Sequence, residues 1–253
     1  MQLLISCAKT MSEAPDIATP RVSVPRFDDT ARSLAAHLAT LPADELARLL
    51  RVNRTLAAEN HRRYTLFHDA GVPAAAALAA YSGIVFRYLD PGSFSAADFE
   101  YAQQHLHITS FLYGLLRPLD AIRPYRLEGD VVIPGGGQAP FDFWPARLTP
   151  VLLDAVRRDD NVLVNLASGE MKRLFDWRRL AREVRIITPE FRVREGERLR
   201  TVVVYTKMCR GAMARSILRN RPEDPEQLKA FEWEGFRYDP AASRGDRWVF
   251  TLG

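Results

Sequence analysis

Cysteine is nearly absent from this 253-residue chain. Cys7 and Cys209 are too few for a disulfide framework and form no CxxC pair, so both are read as ordinary reduced thiols. Long apolar runs are missing too. The longest, such as Ala74–Tyr81, fall far short of a membrane span, and no charged region followed by an apolar stretch marks a secretory signal. The expected compartment is the cytoplasm, with no membrane partner. Metalloprotease, nucleophile-elbow and zinc-finger spacings do not occur, nor do heptads. His105 and His107 would point to different faces of a helix, which makes them poor joint ligands. No metal or cofactor is expected.

Arginine is abundant where lysine is scarce, at 31 against 4. A codon bias explains that ratio but not the clustering. Between Glu170 and Arg221, 15 Lys or Arg stand against 6 Asp or Glu, a balance of +9 in a chain whose total is +4. Guanidinium groups bind phosphate bidentately and stack on flat rings, so the clustering is compatible with a nucleic-acid partner. Hydrophobic residues at 47% and charged residues at 26% permit a packed core.

The pattern along the chain predicts a mixed α/β (α+β) protein of one globular unit, 1–253. A helical part covers roughly 27–128 and a mixed strand and helix part roughly 145–253. Gln2–Ser6 reads as a buried strand and Thr10–Pro25 as a loop. Helical spacing covers Phe27–Thr40, Leu46–Asn53, Arg54–Phe67 and the alanine-rich Pro73–Ala80. Ser95 with Asp98 forms a capping-box signal for Ala96–Leu106. Thr149-Pro150 reads as an N-cap and first-turn proline for Val151–Arg158, and Asp224-Pro225 repeats that signal. Val162–Leu166, Val184–Thr188 and Thr201–Tyr205 are β-branched strand candidates. Gly235–Tyr238 and Arg247–Leu252 are weaker ones. Pro134–Gly137 reads as a flexible loop, since no Gly-Lys-Ser/Thr follows to make it a phosphate loop.

Four constellations could carry chemistry. Ser6-Cys7-Ala8-Lys9-Thr10 leaves the first strand and could offer amides, a hydroxyl and a cation to an anion, or be a surface turn. Ser110–Glu128, with a turn at Gly114, resembles a helix-hairpin-helix unit whose Arg117, Arg123 and Arg126 would meet a DNA backbone. The alternative is a structural corner with its arginines paired to Asp120 and Glu128. Asn165–Glu170 ends an apolar strand, the usual place for a ligand in α/β sheets, although Ser168 could merely cap a helix. In Lys207–Arg215, helical geometry puts Lys207, Arg210, Gly211 and Ala214 within about 100° of one another. The small residues there would let a phosphate backbone approach between cations, with Arg215 alongside.

Several ordered segments together resemble the YaaA family over nearly the whole chain. They are Ile5–Thr10, Tyr81-Ser82-Gly83, Phe99–Leu106, the specific Leu112–Asp120 and Arg123–Glu128 block, Phe143-Trp144, Asn165–Glu170, Lys207–Arg215 and Phe231–Phe236. The resemblance implies a mixed α/β fold with a helix-hairpin-helix element and a positively charged cleft. It also implies DNA binding and a role in peroxide resistance linked to limiting iron-driven damage. It brings no catalytic residues. Cys7 replaces the family's proline, and beside Lys9 its thiol pKa would be lowered. Phe111 replaces a turn glycine, and Met171 an aromatic residue.

The expected partner is therefore DNA, held without base preference. Lys9, Arg117, Arg123, Arg126, Lys207, Arg210 and Arg215 are the phosphate-binding candidates. Ser6, Thr10, Tyr113, Gly114, Asn165 and Gly211 are expected to line the cleft. The alternative is an enzyme acting on a nucleotide or base, with Lys9, Ser168 and Glu170 as candidate catalytic groups and Ser6, Asn165, Lys207 and Arg210 around them.

Overall fold

A computed structural model describes residues 1–133, 135 and 137–253. Pro134 and Gly136, within the expected Pro134–Gly137 loop, lie outside the described residues. The strands are β1 (Gln2–Ile5), β2 (Ala75–Ala76), β3 (Leu106–Ser110), β4 (Gly114–Leu116), β5 (Ala121–Ile122), β6 (Val162–Asn165), β7 (Arg185–Glu195), β8 (Arg198–Arg200), β9 (Arg237–Tyr238) and β10 (Arg247–Leu252). The helices are α1 (Asp28–Ala39), α2 (Ala43–Leu50), α3 (Arg54–Thr65), α4 (Ala77–Ala80), α5 (Ile84–Leu89), α6 (Ala96–His105), α7 (Pro140–Phe143), α8 (Pro145–Arg158), α9 (Trp177–Glu183) and α10 (Val203–Asn220). Tight 3₁₀ turns occupy Met171–Leu174 and Pro225–Ala230.

One sheet runs β4-β3-β1-β6-β7-β10-β9, with β8 paired to β7. Its centre is parallel: β1 pairs with β3 and β6, and β6 with β7, in registers such as Leu3↔Leu106, Leu3↔Val164 and Val164↔Ile187. Strands covered on both faces need unbroken apolar runs, and every residue of β1 and β6 is buried. Gln2 and Asn165 are the polar exceptions: the Gln2 amide is spent on Asp159 and His107, and Asn165 Oδ1 accepts from the Ala167 amide.

His107 stands in β3 with its Nε2 2.9 Å from Gln2 Oε1. Burial, reinforced by the charges of Arg117 and His105, lowers its pKa from 6.5 to about 4. The unfolded chain takes up this proton near 6.5 and the folded chain only near 4. Between those values the unfolded state carries the extra proton, so stability falls as pH falls, by up to roughly 1.4 kcal/mol per pH unit. Urea midpoints measured from pH 7 to pH 5 should drop in the parent chain and drop less in His107→Gln. Parallel slopes would remove His107 as the cause.

The Ser95 capping box forms as expected. Ser95 Oγ accepts from the Asp98 amide at 3.2 Å, and Asp98 Oδ2 accepts from the Ser95 amide at 3.0 Å.

Four expectations need correction. Ser110–Glu128 is not two helices around a turn. The chain leaves α6, enters the sheet as β3 beside β1, and reverses through Phe111-Leu112-Tyr113 into antiparallel β4, with Ser110 opposite Gly114. Gly114, at φ +73°, carries the left-handed backbone of that reversal, so Phe111 replaces no essential glycine.

Thr149-Pro150 does not open a helix. α8 begins at Pro145, and its buried stripe Leu148, Leu152, Leu153, Val156 runs past an exposed Pro150. The Thr149 hydroxyl instead donates to Pro145 O and accepts from the Asp176 amide. Thr201–Tyr205 is no strand. β8 ends at Arg200, and the β-branched run starts α10, which is held by packing against α5. Tertiary contact overrides strand propensity there. Of Pro73–Ala80 only Ala77–Ala80 is helical; Ala75 pairs with Ile122 and Ala76 with Ala121 instead.

Candidate functional site

The topology itself marks a place. From the end of β1 the chain departs through α1–α6 to β3, on one side of β1. From the end of β6, the neighbour on the other side, it departs through α9 to β7, away from β1. Adjacent parallel strands whose continuations part this way leave a crevice beyond their carboxyl ends. Ser6 follows β1 and Ser168 follows β6. The Ser168 amide donates to Ser6 Oγ at 2.9 Å, and the two hydroxyl oxygens lie 3.4 Å apart. Ser168 therefore ties two strand ends together rather than capping a helix.

A pocket of about 380 Å³ opens at this junction. The loop after β1 gives it Ser6, Cys7, Lys9 and Thr10; the loop after β6 gives Ser168, Glu170 and Met171. α10 contributes Lys207 and Arg210, and α5 contributes Ile84, Val85 and Phe86. Phe111, Tyr125 and Leu127 complete an apolar portion. A second depression of about 340 Å³ shares Lys9, Arg126 and Glu170 with it and adds Arg51 and Arg173. In the first pocket the Tyr125 hydroxyl lies 2.7 Å from Ser110 Oγ and 3.0 Å from the Tyr81 hydroxyl, and burial raises the pKa of both Tyr81 and Tyr125.

Cationic candidates divide sharply. Lys9 and Arg126 both end on the buried carboxylate of Glu128, at 3.0 and 2.8 Å. Arg117 pairs with Asp120 at 3.6 Å. These arginines follow the corner alternative, with Arg126 still facing the pocket. Arg123 is structural: it donates to the carbonyls of Val72 and Asp69, lies over the Phe67 ring, and lines a separate depression rather than this pocket. Arg215 pairs with Asp90 and borders a different depression, of about 720 Å³. Lys207 and Arg210 make no ion pair among the described residues. Burial holds the Arg210 pKa below its ordinary value, and its Nε has no partner among the described residues.

The remaining expected lining residues serve other ends. Tyr113 accepts the Arg123 amide, and Gly114 packs on Trp144 and Leu148. Asn165 is buried below the crevice, with Oδ1 accepting from the Ala167 amide at 3.2 Å. Gly211 faces α5, where a Cβ would stand 2.2 Å from Val85 O. Its smallness serves helix contact, not approach of a phosphate. Nor is Cys7 activated. Burial pushes its thiol to about 12, against the lowering hydrogen bond to Thr109, while Lys9 is engaged by Glu128. The apolar wall of Ile84, Val85, Phe111 and Leu127 carried no signal in the sequence, because its pieces come from separate elements and look like core. Among the described residues no group of three or more His, Cys, Asp or Glu side chains is placed to hold a metal ion. No helix among them is long and apolar enough to cross a membrane.

A sequence profile described as "Peroxide stress protein YaaA" matches residues 1–242. The chain belongs to the YaaA family. A UPF0246 protein of Bacteroides thetaiotaomicron is 52% identical over 254 residues, covering 100% of this chain and 99% of its own length. A UPF0246 protein of Porphyromonas gingivalis is 42% identical over 255 residues, covering all of both chains. The YaaA segments recognised in the sequence now acquire places. Those at Ile5–Thr10, Asn165–Glu170 and Lys207–Arg215 meet at the pocket, and the Leu112–Asp120 block builds the sheet edge beside it.

Proposed function

We propose that this peroxide-stress protein of the YaaA family protects DNA by receiving a single nucleotide, free or unstacked from a strand, in the pocket between Ser6 and Lys207. The observation that carries the reading is convergence. Of Ser6, Lys9, Asn165, Ser168, Glu170, Lys207 and Arg210, all but Asn165 line one pocket at the carboxyl ends of adjacent parallel strands. A pocket of nucleotide size favours a small ligand or an extruded base over a duplex lying in a groove. Apolar and aromatic groups on one part suit a base, and unpaired cations on another suit its phosphate. Glu170, exposed between the two depressions and free of ion pairs among the described residues, is the group placed to move a proton if the bound nucleotide is processed. The protein would then serve peroxide resistance through nucleic acid, limiting iron-driven damage at its target rather than by holding iron.

Sequence-independent binding of duplex DNA along the positive Glu170–Arg221 stretch is the second reading, supported by its balance of +9. The two separate in one assay. Fluorescence anisotropy should show a duplex with one unpaired nucleotide bound roughly tenfold tighter than the fully paired duplex, about 1.4 kcal/mol. Lys207→Gln should abolish most of that preference. Equal affinity for both duplexes, falling steeply with salt, would overturn the pocket reading in favour of surface binding.

A further inference from the structure

The cations around the pocket are not equivalent. Lys9 and Arg126 share the one buried carboxylate of Glu128, which answers one of their two charges. On the α10 side the charges are unanswered. Lys207 and Arg210, one helical turn apart, both line the pocket, and Lys172 follows pocket-lining Met171 on the 3₁₀ turn, its pKa lowered by burial and then by the charge of Arg210. None of the three makes an ion pair among the described residues. The charge of Glu190 favours the charged forms of Lys172 and Arg210, but Arg192 pairs with that carboxylate at 2.8 Å; Glu170 lines the pocket with Lys207 and Arg210 and forms no ion pair with them. Lys172 rests its ammonium over the Trp177 ring at 4.8 Å, and Arg210 has a buried Nε with no acceptor among the described residues.

Partly desolvated like charges held together without counter-charge are costly. Lys172 shows the cost of burial and of a neighbouring like charge, and Arg210 shows the cost of burial. Burial lowers the Lys172 pKa and the positive charge of Arg210 lowers it further, while burial lowers that of Arg210. An anion seated against them removes the repulsion and satisfies the open Nε. Charge count then selects the anion. An internal phosphodiester brings one negative charge and must carry backbone out of the pocket in two directions. A phosphate monoester brings nearly two charges and only one continuation.

Resting on the pocket reading above, we propose that the Lys207–Arg210–Lys172 cluster recognises a terminal phosphate monoester. The ligand is then a nucleoside monophosphate or the phosphorylated end of a broken strand, in preference to an intact internal linkage. Lys207 and Arg210 contact the phosphate, and Lys172 is a positioning residue that supplies the second charge from behind. Sequence reading passed over Lys172, which sits in the +9 stretch with no distinguishing motif.

Calorimetric titration with three probes tests this: a deoxynucleoside 5′-monophosphate, the same phosphate as its methyl ester, and the deoxynucleoside. The monophosphate should bind at least roughly tenfold more tightly than its methyl ester, the scale of one added charged hydrogen bond. In Lys172→Gln that ratio should shrink to about twofold, because the second charge is gone while nucleoside affinity stays unchanged. Lys207→Gln, at an exposed position, supplies a second variant whose folding is not at stake. Equal affinity for monophosphate and ester would overturn this inference and leave the pocket reading standing. Failure of all three probes to bind would overturn both.

Discussion

Trp144→Ala is expected to lower the unfolding free energy by about 3–5 kcal/mol, the range for removing a large aromatic from a core. Trp144 has no exposed surface. Its ring meets Phe27 edge-on at 5.4 Å and Phe143 at 4.8 Å. It also lies where a Cβ on Gly114 would fall, 2.8 Å from the ring, so the indole and the glycine are fitted to each other. Its Nε1 donates to the Phe111 carbonyl at 2.8 Å. Alanine would open a cavity and strip that buried carbonyl of its donor, two costs that act in the same direction. The β3–β4 reversal carries Phe111 into the pocket wall, so lost stability should be accompanied by weaker nucleotide binding. Urea denaturation measures the first effect. Trp144→Phe isolates the hydrogen bond and should cost about 1–3 kcal/mol, with any size mismatch added to it. A loss under about 1 kcal/mol for alanine would contradict the packing described.

Gly211→Ala is expected to cost about 1–3 kcal/mol, although alanine is the better helix former. On a free helix the substitution would stabilise, by roughly 1 kcal/mol. Here the new methyl would stand 2.2 Å from Val85 O and 2.9 Å from Leu89 N. Both are backbone atoms of α5, so no side-chain rotation relieves the overlap, and α5 itself must move. Ile84, Val85 and Phe86 of α5 line the pocket, which couples this helix contact to the site. Thermal unfolding and nucleotide titration should therefore both register the change. A more stable protein with unaltered binding would show that the two helices do not approach this closely.

Much of the fold was legible because it follows local rules. β1 and β6 announced themselves as short unbroken apolar runs, and the Ser95–Asp98 box marked the start of α6 to the residue. Errors fell where distant contacts decide. Thr201–Tyr205 reads as a strand, yet α10, which begins at Val203, lies along α5. His107 reads as the end of a helix, yet the chain from Leu106 is drawn into the sheet by β1.

The site was legible in its polar half. Ser6, Lys9, Ser168, Glu170, Lys207 and Arg210 could be named from strand ends and helical spacing, because polar groups beyond apolar strands have few other reasons to be there. Spacing could not distinguish cations with partners from cations without. Arg117, Arg123 and Arg215 look as available in the sequence as Arg210 does, and only their acids and carbonyls in three dimensions withdraw them. Gly211 misled for the same reason: close approach was inferred correctly, but what approaches is α5.

The central claim is that the strand ends of β1 and β6, with Lys207 and Arg210, form a pocket for one nucleotide. A crystal structure of the protein soaked with a deoxynucleoside monophosphate tests it most directly. The account predicts density for the phosphate against Arg210 and Lys207 and for the base against Phe111 and Tyr125. A nucleotide bound elsewhere, with this pocket holding only solvent, would contradict it.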